Sequence, residues 1–170
     1  AFARLMRDGG AKQAVVGHDM RPSSPALADA FAEGVTRQGL DVTRIGLSST
    51  DQLYFASGRL DCPGAMFTAS HNPARYNGMK LCRAAASPIG LESGLAEIRD
   101  LAEAGVADGS GPRGTVTQQD LLGDYAPAER EPGWRPQIAA PKLAEIMVDH
   151  DVAALASGTG HTVDTVNWGA

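Results

Sequence analysis

The stretch Ala65-Met66-Phe67-Thr68-Ala69-Ser70-His71-Asn72-Pro73 decides how this chain is read. Ala65-Met66-Phe67 is a short apolar run without charge, the signature of a buried strand, and polar residues follow it directly. Asn72-Pro73 then turns the chain, because the residue before a proline is driven out of helical conformation. Ser70 therefore stands just beyond the carboxyl end of a strand. In an open α/β sheet that end borders the crevice in which ligands bind.

Working outward, the same grammar repeats. Ala14-Val15-Val16 is a second buried-strand run ending at Gly17, and a polar loop follows it. Ser24 as a cap with Pro25 in the first helical position predicts a helix ended by Gly39, with Leu27, Phe31 and Val35 on one face. Residues 42–47 alternate as a strand, and Ser48-Ser49-Thr50 caps a short helix through Leu53 and Phe55. Near the start, Phe2, Leu5 and Met6 are spaced helically before the stop Gly9-Gly10. Beyond the serine, Tyr76-Asn77-Gly78 is a turn and residues 79–83 read as a fourth strand. A helix with Leu95, Ile98 and Leu101 closes near Gly105. Strands alternating with helices predict an α/β layered domain: a mixed, mostly parallel sheet of about four strands between helices, plus an irregular C-terminal tail. The expected division is a domain over 1–126 and a Pro-rich linker with a divergent tail over 127–170. Residues 118–125 are a short helix in this reading. Pro127, Pro132, Pro136 and Pro141 exclude regular structure after it, and Leu143, Ile146 and Met147 suggest one further amphipathic helix.

At 170 residues the chain holds one well-buried domain, with room for an appendage. A hydrophobic content of 43% and a charged content of 21% are ordinary globular usage, which argues against wholesale disorder. The net charge of −5, without a Lys/Arg block, argues against nucleic acid and against a polybasic membrane surface. No apolar run approaches the roughly 20 residues of a membrane span. Two cysteines, Cys62 and Cys82, form no framework and suit a reducing cytoplasm as small buried residues. The opening AFARLMRDGG has neither an initiator Met nor a signal-peptide core, and is expected to be the interior of a longer, N-terminally clipped sequence.

The chemistry gathers around Ser70. His71 is adjacent, Lys80 starts the next strand, and Arg21 belongs to another strand-to-helix loop expected to open on the same rim. One hydroxyl among such cations suits a phosphoserine, which carries about −1.5 to −2 charges and three acceptor oxygens. The alternative from composition alone is a turn serine beside a surface histidine. A serine hydrolase built on Ser70 and His71 is disfavoured, because adjacent residues rarely make a nucleophile–base contact and no G-x-S-x-G elbow is present. No G-x-x-x-x-G-K-[ST] loop supports a nucleotide enzyme, and four scattered His and two distant Cys give no zinc spacing.

Thr68-Ala69-Ser70-His71-Asn72-Pro73 resembles the phosphoserine loop of the α-D-phosphohexomutases (phosphomannomutase/phosphoglucomutase). Tyr76-Asn77-Gly78-Met79-Lys80 matches that family's continuation, and Gly17-His18-Asp19-Met20-Arg21-Pro22-Ser23-Ser24 is similar to its GxDxR-x-S loop. The resemblance runs from about Ala14 to Tyr125 and implies the family's first domain. It further implies phosphoryl transfer between hexose 1-phosphate and hexose 6-phosphate through a hexose 1,6-bisphosphate. Ser70 would be the phosphoryl carrier. His71 and Lys80 would be catalytic, with Lys80 the better candidate for proton transfer, and Arg21, Asn72 and Asn77 would bind substrate or, for Arg21, orient the serine loop. Mg²⁺ would take one phosphoserine oxygen at Ser70 as a ligand.

The family's Asp-Gly-Asp-Gly-Asp-Arg metal loop, Gly-Glu-x-Ser-Gly-His sugar loop and C-terminal phosphate clamp do not occur in these 170 residues. Asp149-His150-Asp151 reads as a solvated helix end, and Ser157-Gly158-Thr159-Gly160-His161 lacks the order of the sugar loop. The residues from Pro127 do not resemble the second domain, a pattern that a frameshift or a decayed paralogue would produce. The expectation is a phosphorylatable domain with little turnover by itself. The alternative is a non-catalytic phosphosugar-binding or interaction remnant.

Overall fold

A computed structural model describes residues 1–128 of the chain. The elements run α1 (Phe2–Asp8), β1 (Gln13–His18), α2 (Ser24–Arg37), β2 (Asp41–Leu47), α3 (Thr50–Leu60), β3 (Gly64–Phe67), β4 (Met79–Cys82), α4 (Ala96–Ala104), β5 (Val116–Gln118) and α5 (Leu122–Ala128). The sheet order is β4-β3-β1-β2-β5. Strand β1 is parallel to β2 and β3, β2 is parallel to β5, and β3 and β4 are antiparallel. The layered, mostly parallel α/β reading therefore holds.

Successive side chains of a strand point to opposite faces, and the two halves of the core follow that alternation. Ala14 and Val16 of β1 and Ala65 and Phe67 of β3 join Phe2, Met6, Ala28, Val35 and Ile98 under α1, α2 and α4. Val15 and Met66, the residues between them, join Leu53, Ala56 and Leu121 on the other face. Both central strands are thus covered on both sides, which is why they read as continuous apolar runs. Cys62 and Cys82 are buried and free. Burial, with Cys82 nearby, pushes the Cys62 thiol up to about 11, so it stays protonated at neutral pH. Among the described residues no helix is long and apolar enough to cross a membrane.

Four expectations are corrected. The sheet has a fifth strand, β5, ending at Gln118, where a short helix was expected to begin; all three of its residues are exposed, so no buried pattern marks it. The short helix begins at Leu122 instead of residue 118 and continues through Pro127 to Ala128. On α2 the buried line is Ser24, Ala28, Ala32 and Val35, while Leu27 is 43% exposed. The small Ala28 and Ala32 face the sheet, and Phe31 lies at the flank against the rings of Phe2 and Phe67, 5.4 Å from each. Finally, Ser23 and not Ser24 caps α2, without a side-chain cap bond; the Ser24 hydroxyl goes elsewhere. The cap expected before α3 is Ser49, in a reciprocal capping box with Gln52. The expected linker beyond residue 128, the 143–147 helix and the 149–151 and 157–161 segments lie outside the described residues.

Candidate active site

The carboxyl ends of β1 and β3 lie side by side, with His18 in register with Phe67. The chain leaving β1 stays attached there, since Asp19 N–H donates to the Phe67 carbonyl at 2.9 Å. The serine loop, residues 68–78, leaves β3 and returns as β4. Its neck is closed by a 3.0 Å bond from Thr68 N–H to the Gly78 carbonyl. Two successive turns make its body, one closed by Asn72 N–H on the Ala69 carbonyl and one by Tyr76 N–H on the Pro73 carbonyl.

Ser70 sits in the first turn at φ +49°, left-handed for a residue that is not glycine. That conformation costs on the order of 1–2 kcal/mol, so surrounding contacts must hold it. The residue is exposed, and its Oγ lies 2.9 Å from Nδ1 of His71. The expectation that neighbouring residues would not make this contact is overturned. The left-handed backbone turns the Ser70 side chain so that the next residue's ring can meet it. A hydrolase triad still lacks its third member: among the described residues, no hydrogen bond is made by the other ring nitrogen of His71.

Arg21 meets the loop's main chain. Its Nε donates to Asp19 Oδ2 at 3.1 Å, one terminal nitrogen donates to the carbonyls of Pro73 and Tyr76, and the other to those of Ser70 and Asn72. A guanidinium has five N–H donors. All five are engaged, which leaves none for a substrate phosphate; of the two roles expected of Arg21, this geometry serves the orienting one. Asn77 is engaged at both ends of its amide, the NH₂ donating to the hydroxyls of Ser23 and Ser24 and the oxygen accepting from Gly78 N–H. Asn72 contributes its carbonyl to Arg21 and has an exposed side chain. Lys80 is exposed on β4 opposite Met66, and among the described residues it has no hydrogen bond to Ser70.

Asp19 was not singled out from the sequence. Its carboxylate accepts from the Ser24 hydroxyl, from Arg21 N–H and Nε, and from Thr68. Burial pushes this carboxyl up, but the bonds from Ser24, Arg21 and Thr68, with the Arg21 charge, outweigh it and hold it below the ordinary value. An Asp two residues before an Arg was the available signal, inside the loop already noted. Arg75, also not singled out, is exposed with its guanidinium 5.1 Å from the Tyr76 ring centre.

The donor set does not make a Mg²⁺ site. Residues 68–82 contain no Asp or Glu, the Asp19 carboxylate is taken, and among the described residues no three His, Cys, Asp or Glu side chains cluster. Among the described residues this loop therefore offers a hard cation no free carboxylate.

Residues 1–107 match the family model of phosphoglucomutase/phosphomannomutase, alpha/beta/alpha domain I. A Klebsiella pneumoniae phosphomannomutase is 42% identical over 128 residues, 74% of this chain and 80% of the relative. An Escherichia coli phosphomannomutase is also 42% identical over 128 residues, which are 27% of its length. A phosphoglucomutase/phosphomannomutase family protein from Burkholderia thailandensis superposes with a TM-score of 0.62 at 28% identity, covering 73% of this chain and 28% of that one. A solved chain from Thermus thermophilus gives 0.61 at 34% identity, covering 75% and 29%. This chain thus spans most of the Klebsiella relative and between a quarter and a third of the others named. It belongs to the phosphoglucomutase/phosphomannomutase family, and residues 1–107 are its alpha/beta/alpha domain I.

Proposed function

We propose that Ser70 carries a phosphoryl group between the 1- and 6-positions of a hexose phosphate. The observation that carries the reading is an exposed serine held in a left-handed conformation at the sheet's carboxyl edge, with its hydroxyl on a histidine. In the first half-reaction a sugar hydroxyl attacks the phosphorus of phosphoserine. The new P–O bond to the sugar forms as the P–O bond to Ser70 breaks, the sugar's proton is lost to a base, the departing Ser70 Oγ gains a proton, and a hexose 1,6-bisphosphate results. In the second, Ser70 Oγ attacks the other phosphate, its proton is taken up, and the departing sugar oxygen gains one. The sum is isomerisation, with the phosphoserine regenerated.

His71 is the group at Oγ, and in this reading it accepts the hydroxyl proton as the serine is phosphorylated. After transfer, a protonated His71 would offset part of the added charge. Lys80 remains the candidate for the proton on the sugar side. Mg²⁺ would supply charge neutralisation with one phosphoserine oxygen as ligand.

Substrate positioning needs groups on several sides of a sugar, and residues 1–128 supply one loop cluster. The 170-residue chain by itself should accept phosphate on Ser70 while turning over little. We assign it to the cytoplasm, where Cys62 and Cys82 would stay reduced. The test is intact-mass spectrometry with site localisation after exposure to hexose 1,6-bisphosphate. A phosphoryl adduct at Ser70, absent from Ser70→Ala, supports the reading. No adduct at any concentration would favour the non-catalytic remnant, and rapid mutase turnover would overturn the expectation of dependence on further domains.

A further inference from the structure

Ser70 is gripped at both of its peptide groups. Its N–H donates to Thr68 Oγ1 at 3.1 Å, and its carbonyl accepts from the Arg21 guanidinium at 2.9 Å. Both grips lead back to one carboxylate, because the Thr68 hydroxyl and Arg21 Nε are each hydrogen-bonded to Asp19. Asp19 is itself fixed by the Ser24 hydroxyl and by Arg21 N–H at 3.0 Å. Ser24 is buried at the start of α2 and accepts from Asn77 at 2.8 Å. The chain of contacts therefore runs from a rigid helix end, through Asp19, to either side of Ser70.

Holding both neighbouring peptide groups fixes the rotation between them. Released, a serine at φ +49° would fall back to the right-handed or extended region, and its side chain would swing away from His71. We propose that Asp19 is a positioning residue for Ser70: through Thr68 and Arg21 its carboxylate holds the left-handed backbone that presents Oγ to His71. Only a carboxylate suits the post. Four donors converge on Asp19, and an ionised carboxyl has about four lone-pair sites and no hydrogen to clash. An amide keeps one oxygen and turns an NH₂ toward the remaining donors. The proposal takes its functional meaning from the reading of Ser70 as phosphoryl carrier, but its geometry can be tested without any reaction.

The experiment is NMR of the His71 imidazole in the full chain, reporting ring tautomer and titration, with Ser70→Ala as the reference for a lost Oγ–Nδ1 bond. Asp19→Asn and Thr68→Val are expected to move the His71 signals onto the Ser70→Ala position while circular dichroism remains native. Thr68→Ser keeps the hydroxyl and should keep the wild-type signals. If Asp19→Asn does not fold, the Thr68→Val and Thr68→Ser pair decides. A folded Asp19→Asn or Thr68→Val protein with the wild-type His71 signature overturns the proposal, even if it melts lower, since that is all a structural role would give. The phosphoryl-adduct assay separates the two readings: His71 shifts as expected without an adduct keep Asp19 in its role and remove the mutase reading. An adduct with unmoved His71 signals does the reverse.

Discussion

Ser70 Oγ and His71 Nδ1 are 2.9 Å apart on consecutive residues, and Ser70 holds φ +49° to bring them there. The strain should be measurable. Glycine adopts positive φ freely and alanine does not, so Ser70→Gly should be more stable than Ser70→Ala by about 0.5–1 kcal/mol. Both lose the hydroxyl. Urea denaturation of the two proteins checks this, and equal midpoints would mean the left-handed conformation carries no cost.

Arg21 makes a different demand. Its planar fork reaches four carbonyls and one carboxylate, and a lysine ammonium has three donors on a single centre. Arg21→Lys should therefore lose about 1–3 kcal/mol of loop stability despite the retained charge. Amide hydrogen exchange is expected to accelerate across residues 68–78 and stay slow in β1 and β3. Exchange that accelerates evenly over the whole domain would place the role of Arg21 in the core instead of the loop.

Much of this arrangement was legible in the residues, and the division follows physical lines. Val15-Val16 and Ala65-Met66-Phe67 declared themselves because both faces of their strands are buried. The serine loop declared itself through Asn72-Pro73 and the cations nearby. Strand β5 did not, because Val116, Thr117 and Gln118 are all exposed and gain their place from pairing with β2. The α2 stripe was misread because large residues were taken as the buried ones, whereas Ala28 and Ala32 are what the sheet accepts. The occupation of Arg21 was open for another reason: its partners lie about fifty residues away, and only the fold sets carbonyls of Ser70, Asn72, Pro73 and Tyr76 around one guanidinium.

Gly17 links the core to the site. It lies buried in β1 where the register with β2 shifts, two residues before Asp19. A Cβ here would overlap the Ser48 hydroxyl and press on the Ile45 side chain. Gly17→Ala is expected to cost about 1–3 kcal/mol through overpacking. Because His18 and Asp19 follow directly, the variant should also disturb the His71 imidazole signals at temperatures where it remains folded. A stability loss without that disturbance would show that β1 absorbs the strain before the loop.

Acid provides a separate handle on Asp19. Its folded pKa lies below the ordinary 3.8, so in the acid range the unfolded chain binds the extra proton. The stabilisation is complete above 3.8 and disappears as the pH falls through the folded value. Asp8, paired chiefly with Arg4, and Asp41, which accepts from Thr115 N–H and hydroxyl at the β5 edge, shift in the same direction and add to the acid sensitivity. The wild type should therefore lose stability below about pH 4 from several carboxylates at once. What isolates Asp19 is the difference from Asp19→Asn: the gap in urea midpoint between the two proteins should be widest near neutrality and close as Asp19 becomes protonated. The Asp41→Asn protein, carrying an intact Asp19, should keep that part of the slope. A gap between wild type and Asp19→Asn that stays constant down to about pH 2.5 would mean that the carboxylate's charge is not what stabilises the loop, and that the oxygen an amide retains is enough.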